Sequence, residues 1–522
     1  MILGGAAGSL AGWLGWLGLW TGCAPPPDVD GPPDVVIVTV DTLRADRLGF
    51  MGHAAARTPA LDALAASGRV FEQATTPFPR TTPALASLQT GLRPVHHGAR
   101  EVGQVVTTEV RLARWLGDTG RQTLAVTAMR VAGPDQKLDL GFERFVLDHD
   151  ARASVLAAEA LDAVGDLDVA RPMYLWVHFA DPHFPYLPAD TSGPTVPAGA
   201  SCRAIGERAA SGKFRRDALF MNRDGQAEAI LDDCRRLYDG EIAEVDSAVG
   251  ALLDGLGAAR RHRPRIVVFT ADHGENQGEG GLYFEHGPDV SMASVHVPMV
   301  FAGPGVTAGR DAGVARLEDV APTLLSLVGA PVPDGLDGVS LGARTTGGAG
   351  GPELALVESG SALHPPLFRY LVSGRGDKWC VNEGQWSWCT LPGTAPGLYD
   401  HEADPGLDRD VSAANPEIAA RLRDAAGRWA PERAHQRMVR TADGGPHPGR
   451  DGGPHPGRAL IATPTVDGWA ESLIDAAGQP VVDDDALAAL KPELDALSAA
   501  IEAADAPVTG DSAALRELGY IE

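Results

Sequence analysis

Three continuous apolar segments of the sequence each end in an aspartate or a histidine. They are RIVVFTADHGE (265–275), DVVIVTVDTLR (34–44) and MYLWVHFADPHFPY (173–186). An apolar run without alternation is typical of a strand buried on both faces, as in a parallel sheet. Sites in open α/β sheets collect at the carboxyl ends of strands. The sequence therefore predicts a shared polar site at that edge of a parallel sheet.

The polar residues at these strand ends are candidate metal ligands. They are Asp41, then His178, Asp181 and His183, and then Asp272 and His273. One such aspartate alone would be an ordinary turn or cap residue. Carboxylates combined with imidazole suit zinc or manganese better than an all-oxygen calcium site.

Size and charge limit the remaining classes of function. A chain of 522 residues with 44% hydrophobic and 22% charged residues can hold one large α/β domain and a smaller one. Its formal net charge of −25 argues against a nucleic-acid partner, which requires basic surface.

The first 23 residues read as an export leader. An apolar, Gly-rich stretch ends in Gly22-Cys23, and a Pro-rich linker follows over 24–33. This pattern resembles a bacterial lipoprotein signal with Cys23 as the lipidated residue, although Trp20 and the lack of a preceding Lys or Arg depart from it. A plain secretory signal and a buried N-terminal helix are the alternatives. The expected location is the periplasm or cell envelope, with membrane contact only through a lipid anchor.

The other four cysteines permit two disulfides, which agrees with export. We expect the pairs Cys202–Cys234 and Cys380–Cys389, although sequence cannot fix the pairing and four reduced thiols remain an alternative.

A candidate nucleophile lies in the segment TTPALASLQTG (81–91). Pro83 suits a first helical position, Thr82 an N-cap and Gly91 the helix stop. Thr81 would then precede a helix N-terminus, where backbone N–H groups favour an anion. A threonine there could attack a phosphate or sulfate ester, but the position is also an ordinary cap.

Taken together, the motifs resemble the sulfatase family of the alkaline phosphatase superfamily. The matching pieces are VDTLRADRLGFMG (40–52), TTPALASLQTGLRPVHHG (81–98), HFADPHFPY (178–186), LYDGEIAEVD (237–246), FTADHGE (269–275), EHG with VP twelve residues on (285–298), EDVAPTLLSLVGAP (318–331), GLYDHEADP (397–405) and LRELGYIE (515–522).

The chain departs from the family at its nucleophile. Most sulfatases carry Cys or Ser there, in a Cys-x-Pro-Ser-Arg pattern, and oxidise it to formylglycine. Here the residue is Thr81, whose Cβ methyl prevents that oxidation from giving an aldehyde, and the family's Arg is Leu85. Thr42 replaces the second Asp of the first metal motif, and Gly-Glu-His-Gly reads Gly-Glu-Gly-Gly at 278–281. The pattern Thr-x-Pro is similar to the one found in superfamily members that use an unmodified threonine as the nucleophile.

The resemblance implies an alkaline-phosphatase-like α/β fold. A mostly parallel central sheet flanked by helices is expected over 34–345, and a smaller α+β subdomain with an antiparallel sheet over 346–435. Within 436–460 the octapeptide DGGPHPGR occurs twice, at 443–450 and 451–458, and is expected to be disordered. Residues 461–522 are expected to form a tail that completes the fold.

The resemblance also implies roles for the site residues. Asp41, Thr81, Asp272 and His273 would hold a divalent metal, zinc or manganese, with calcium or magnesium as alternatives. Metal activation would make Thr81 a nucleophile.

Two further histidines are implied at the ester. His183 and His286 would contact the ester or protonate the leaving group. Alternatively, they would complete a second metal site with Asp181. His178 is equally compatible with a buried structural role. Arg44 could hold a metal ligand or a sulfate, or pair at the surface.

Three functions fit these residues. The first is a metal-dependent hydrolase or transferase that acts on a small-molecule, glycan or lipid phosphoester through Thr81. The second is a true sulfatase with an unmodified threonine. The third is an inactive family member that serves as a binding protein.

Overall fold

The structure is a computed structural model. It describes residues 31–189, 201–210, 226–261, 263–359, 378–391, 395–433, 438–439, 459–465, 468–474 and 480–481. Cys23, the linker up to residue 30, the tandem repeat at 443–458 and the final motif at 515–522 lie outside these residues. Within them, no helix is long and apolar enough to cross a membrane.

The largest element is an eight-stranded sheet. The described residues form strands that are numbered β1 to β18. In chain order the first ten are β1 (Asp34–Val40), β2 (Arg69–Thr75), β3 (Gln122–Thr127), β4 (Arg144–Leu147), β5 (Met173–Phe179), β6 (Arg265–Ala271), β7 (Asn276–Gln277), β8 (Tyr283–Glu285), β9 (Met299–Ala302) and β10 (Gly309–Arg316). The remaining strands are β11 (Ala355–Glu358), β12 (Trp379–Glu383), β13 (Trp386–Thr390), β14 (Gly397–Asp400), β15 (Met438–Val439), β16 (Ala459–Thr465), β17 (Gly468–Ile474) and β18 (Pro480–Val481).

The large sheet has the order β10-β2-β9-β6-β1-β5-β3-β4. Only β9 runs antiparallel to its neighbours in this sheet, so the expected mostly parallel architecture is confirmed. The three apolar runs identified in the sequence are β1, β5 and β6 at its centre. Every residue of β1 and β5 is buried, and so is all of β6 after its first residue.

Helices flank the sheet, and loops connect them to the strands at its carboxyl edge. They are α1 (Pro59–Ser67), α2 (Thr81–Thr90), α3 (Pro94–His97), α4 (Leu112–Asp118), α5 (Ala153–Gly165), α6 (Cys202–Ala210), α7 (Gln226–Ala259), α8 (Met292–Val295), α9 (Val320–Leu327), α10 (Gly342–Thr345) and α11 (Pro416–Arg433).

The start of α2 differs from the sequence prediction. The helix begins at Thr81 with Arg80 in the N-cap position, so neither Thr82 nor Pro83 occupies the predicted place. Thr81 is therefore the first residue of the helix rather than the residue ahead of it. Gly91 does end the helix, in the left-handed conformation at φ 69°.

The expected C-terminal subdomain is present as a four-stranded antiparallel sheet, β11-β12-β13-β14. One face packs its tryptophans, Trp379 and Trp388, against Leu422 of α11 in a separate hydrophobic cluster. Strands β15 to β18 form a second four-stranded antiparallel sheet. Its strands at 438–439 and 459–460 fall inside the segment 436–460 that was expected to be disordered.

Both expected disulfides are present. Cys202–Cys234 joins α6 to α7 across 32 residues, and Cys380–Cys389 joins two paired residues of β12 and β13.

Candidate active site

The metal-binding candidates meet because β1 and β6 are neighbouring parallel strands in matched register. Val40 pairs with Ala271, so Asp41 and Asp272 leave the sheet side by side. His273 follows. All three are fully buried, and one potential ligand atom from each lies within 4.8 Å of the others. No other group of three acidic, histidine or cysteine side chains among the described residues meets this geometry.

Thr81 lies against this cluster. Its Oγ1 is 3.5 Å from Asp41 Oδ2 and 3.4 Å from His273 Nε2. The side chain is 3% exposed and stands at the N-terminus of a ten-residue helix. The structure therefore brings together the four residues expected to hold the metal.

The free atoms of the cluster fit a divalent cation. Asp41 Oδ1 and Asp272 Oδ2 are buried without a hydrogen-bond partner. His273 Nδ1 lies 2.9 Å from the carbonyl of Gly274, so a proton on Nδ1 leaves the Nε2 lone pair facing the carboxylates. Buried unpaired carboxylate oxygens are rare unless an ion or water completes them.

The pKa values of the three residues also favour binding of a cation. Burial, followed by repulsion from Asp272 and Glu275, holds the pKa of Asp41 well above its usual range. Burial raises the pKa of Asp272 to about 8 against the N–H groups of His273 and Thr42, which lower it. Burial lowers the pKa of His273 to about 3, so the imidazole is neutral and can act as a ligand.

His286 and His183 extend the site on one side. The rings of His286 and His273 lie 4.3 Å apart between centroids, and His183 meets His286 edge-on at 5.4 Å. His286 Nδ1 faces Glu275 Oε1 at 3.5 Å. Burial, with the charges of its neighbours, holds the pKa of His286 well below its usual value. The two expected catalytic histidines are thus adjacent to the cluster.

Asp181 does not join them. Its Oδ2 accepts the backbone N–H of Ala153 at 2.8 Å, which is the first residue of α5. Among the described residues it forms no metal-competent group with His183 and His286. The alternative second metal site with these three ligands is therefore not assembled.

Comparison with known proteins identifies the family of the chain. The sequence profile of the Sulfatase family matches residues 33–330, which is more than half of the chain. The chain belongs to the sulfatase family.

One sequence relative and two solved structures illustrate the similarity. Choline-sulfatase of Rhizobium meliloti (strain 1021) is 26% identical over 446 residues, which cover 74% of this chain and 83% of that protein. The phosphonate monoester hydrolase of Agrobacterium radiobacter has a TM-score of 0.58 at 22% identity and covers 80% of this chain and 100% of that one. BT4656, solved with its substrate D-glucosamine-2-N,6-O-disulfate, has a TM-score of 0.62 at 16% identity, covering 78% and 99%.

As a member of the sulfatase family the chain is an ester hydrolase, and the family generally uses a divalent metal. The two solved structures, at identities below 25%, support the fold. They confirm the central sheet flanked by helices and the small antiparallel subdomain that the sequence predicted.

Two candidates from the sequence have structural roles. His178 is buried, and its Nδ1 lies 2.9 Å from the hydroxyl of Thr39. Arg44 is buried rather than superficial, and it pairs with Asp46 and Glu279 instead of a metal ligand. Its Nη1 also donates to the carbonyl of Glu275 at 3.1 Å, which fixes the loop after His273.

Sequence reasoning missed two charged residues at the site. Glu275 is fully buried, accepts a hydrogen bond from Tyr186 and faces His286. Its position two residues after His273 was a usable signal. Arg80 is 4% exposed and precedes Thr81, with Glu101 at 3.0 Å from its Nε. A cation beside a nucleophile that attacks an anion was the signal for Arg80.

Proposed function

We propose that this sulfatase-family hydrolase cleaves phosphate or sulfate esters through a covalent intermediate on an unmodified Thr81. The observation that carries the proposal is the position of the Thr81 hydroxyl, between Asp41 and His273 and at the N-terminus of α2. The hydroxyl of a threonine is a weak nucleophile until a neighbouring group activates it. The contacts of Thr81 put its hydroxyl beside the residues that would hold the activating metal.

A divalent ion held by Asp41, Thr81, Asp272 and His273 would polarise the ester and lower the pKa of the Thr81 hydroxyl. Zinc or manganese suits this ligand set, because an imidazole accompanies the carboxylates.

The chain's own residues would carry out two steps. In the first, Thr81 Oγ1 forms a bond to phosphorus or sulfur, the bond to the ester oxygen breaks, and the Thr81 proton ends on the departing alcohol. In the second, a water oxygen forms a bond to phosphorus or sulfur, the bond to Thr81 Oγ1 breaks, a proton from the water returns to Thr81 Oγ1, and phosphate or sulfate leaves. His286 and His183 would move these protons. In support, the His286 ring lies 4.3 Å from that of His273, and burial keeps the pKa of His286 well below its usual value, so it can accept a proton.

Arg80 would supply the charge that holds the anion. Its guanidinium is close enough to contribute, after burial, to the lowered pKa of both His273 and His286. The family's arginine two residues after Pro83 is Leu85 here, so Arg80 would replace that charge from the other side of Thr81.

Phosphate esters are the preferred substrate class in this proposal. A phosphoryl group carries more charge than a sulfuryl group and therefore gains more from a metal and an arginine. Similarity to a phosphonate monoester hydrolase supports this preference. Similarity to choline-sulfatase supports the second candidate, a sulfate ester hydrolase with the same threonine.

The test is a pair of substitutions at Thr81 with a matched control. Thr81→Ala should lower kcat by about 10³-fold or more, whereas Thr81→Ser should retain measurable activity because it keeps the hydroxyl. Thr82→Ser is the control: this neighbouring threonine donates to the carbonyl of Val131 at 2.7 Å and does not contact the cluster.

The variants should be assayed on an aryl sulfate, a phosphate monoester and a phosphodiester, and intact mass should show threonine at 81. Preference for sulfate would select the second candidate. Full activity of Thr81→Ala would exclude the threonine mechanism.

The location belongs to the same proposal. We place the enzyme in the periplasm or cell envelope, attached through a lipid on Cys23, on the basis of the leader and the two disulfides. Mass spectrometry of the membrane fraction would reveal the lipid. An unmodified Cys23 in a fully released protein would exclude the anchor and leave export standing.

A further inference from the structure

A cavity of about 650 Å³ lies between the catalytic domain and the C-terminal subdomain. The catalytic domain contributes β2, β10 and the loop after β7, and the subdomain contributes β12 and the loop 401–408. None of the four residues of the metal cluster lines it. A cavity of this volume is in the range of small-molecule sites.

Two polar side chains in its wall have no partner. Asn382, in β12, is 4% exposed, and neither its amide nitrogen nor its carbonyl oxygen makes a hydrogen bond. Cys380 on the same face of β12 packs against Val290 and Val295 of the catalytic domain, so the Asn382 side chain points to that side of the sheet, where the cavity is. Thr75 Oγ1, at the end of β2, is also buried and unpartnered.

Buried amides and hydroxyls in folded proteins nearly always have partners, so unpaired ones in a cavity wall indicate a missing ligand. Asn382 presents both a donor and an acceptor, and Thr75 presents a hydroxyl that can serve as either. The complementary chemistry is a group that both donates and accepts, such as an alcohol.

The charge of the cavity is strongly negative. Seven acidic residues and one arginine line it. Four of the acids pair with Arg44, Arg310 or Arg421. The other three, on the loop 401–408, form no ion pair with any described residue.

These three acids are Glu402, Asp404 and Asp408. The two histidines in the wall, His296 and His401, add no positive charge at pH 7. Burial lowers the pKa of both, that of His401 to about 4.

A metal ion does not fit these carboxylates. Among the described residues, they form no group of three whose ligand atoms approach within 4.8 Å of one another. Charges spread around a cavity match a cation whose own charged groups are spread over an organic frame. The apolar side chains of Met292 and Val314 in the same wall favour such a frame.

We propose that this cavity binds a hydroxylated organic cation, of the size of one or two amino-sugar rings. Its ammonium groups pair with Glu402, Asp404 and Asp408. Its hydroxyl groups complete Asn382 and Thr75. The proposal is independent of the chemistry at Thr81.

The test is calorimetric titration of the purified full chain at pH 7 with a matched ligand series. Glucosamine and its β-1,4-linked dimer should bind saturably. Glucose and N-acetylglucosamine lack the ammonium group and should bind about tenfold more weakly or worse. Spermidine, which has ammonium groups but no hydroxyls, and Mg²⁺ should also bind more weakly than the dimer.

Substitutions locate the binding. Glu402→Gln, Asp404→Asn and Asp408→Asn together should weaken binding of the dimer by about tenfold to hundredfold. The control makes the same change in charge at three exposed aspartates that do not line the cavity: Asp118→Asn, Asp135→Asn and Asp162→Asn should leave the affinity unchanged. Asn382→Leu should weaken binding without lowering the melting temperature of the free protein, because it removes an unpaired amide.

Equal binding of spermidine or Mg²⁺ and the dimer would overturn the proposal, since it would show only a counterion effect. So would wild-type affinity in the triple variant, or no saturable binding at all. If Asn382→Leu fails to fold, the triple variant decides, because its three residues lie on a surface loop.

Discussion

The metal-free protein should become more stable when Asp272 is replaced by asparagine. The carboxylates of Asp41 and Asp272 have atoms within 4.8 Å of each other in a fully buried site. When both carboxylates are charged, above the folded Asp272 pKa of about 8, like charges at that distance repel by about 3.5 kcal/mol at an effective dielectric constant of about 20. Below that pKa the folded protein avoids the repulsion by holding a proton, and this proton uptake costs free energy at every pH above the unfolded value of 3.8. The asparagine carries no charge and needs no proton, and it keeps Oδ1, which accepts the N–H groups of Thr42 and His273. The free energy of unfolding should therefore rise by about 3.5 kcal/mol near pH 8.

The sign of the pH dependence follows from the raised pKa of Asp272, about 8 against 3.8. Between these values the folded protein holds a proton that the unfolded chain has lost, so the free energy of unfolding falls as the pH rises. The slope contributed by this group is about 1.4 kcal/mol per pH unit and ends above its folded pKa. The Asp272→Asn variant should lose that contribution.

Metal reverses the order of stability. At about 1,000 times its dissociation constant, zinc or manganese should stabilise the wild-type protein by about 4 kcal/mol, and the variant by much less. Urea unfolding followed by tryptophan fluorescence, in chelator and in excess metal, measures both effects.

Asp34→Asn is the matched control. It changes the same group at the opposite end of β1, but Asp34 accepts a hydrogen bond from Arg260 Nε at 3.0 Å. The substitution leaves the buried Arg260 without a charged partner and should destabilise by about 3–5 kcal/mol while the metal effect remains. A less stable Asp272→Asn protein in chelator, or one with the full metal effect, would refute the reasoning.

Three further results are expected. His286→Gln should lower kcat by about 10²- to 10⁴-fold with little change in KM, and exposed His96 is the control position for steady-state kinetics. Arg80→Met should weaken competitive inhibition by phosphate and sulfate by about tenfold, and unchanged inhibition constants would exclude the anion role. Replacing Cys202 and Cys234 with serine should lower the free energy of unfolding by about 2–4 kcal/mol, measured in urea. Reductant should lower wild-type stability similarly and should have a smaller effect on the double variant.

The centre of the fold and the group of candidate metal ligands were predictable because burial constrains which residue types a segment can contain. A strand covered on both faces must be apolar throughout, so β1, β5 and β6 stood out without an alternating pattern. Parallel strands end at one edge, which placed Asp41 beside Asp272 and His273. These predictions need only the direction of the strands and no knowledge of individual contacts.

The parts that failed depend on long-range hydrogen bonds. Asp181 has the same strand-end pattern as Asp41, but its carboxylate accepts the first N–H of α5, which is 28 residues earlier in the chain. The start of α2 moved to Thr81 because tertiary contacts of Thr82, to Val131 and Gly103, occupy the hydroxyl that would have capped the helix. Local sequence cannot show either competitor.

The central place of β1 has a consequence for when the metal can be loaded. Asp272 holds the backbone of Thr42 across 230 residues of chain. A nascent or translocating polypeptide therefore carries Asp41 and Thr81 long before their partners exist nearby. No three-residue ligand set forms until β6 has docked against β1, which is a late, non-local event in the assembly of such a sheet. If the chain is exported as we propose, and in the unfolded state, it would cross the membrane without its ion and acquire it only in the compartment where it folds.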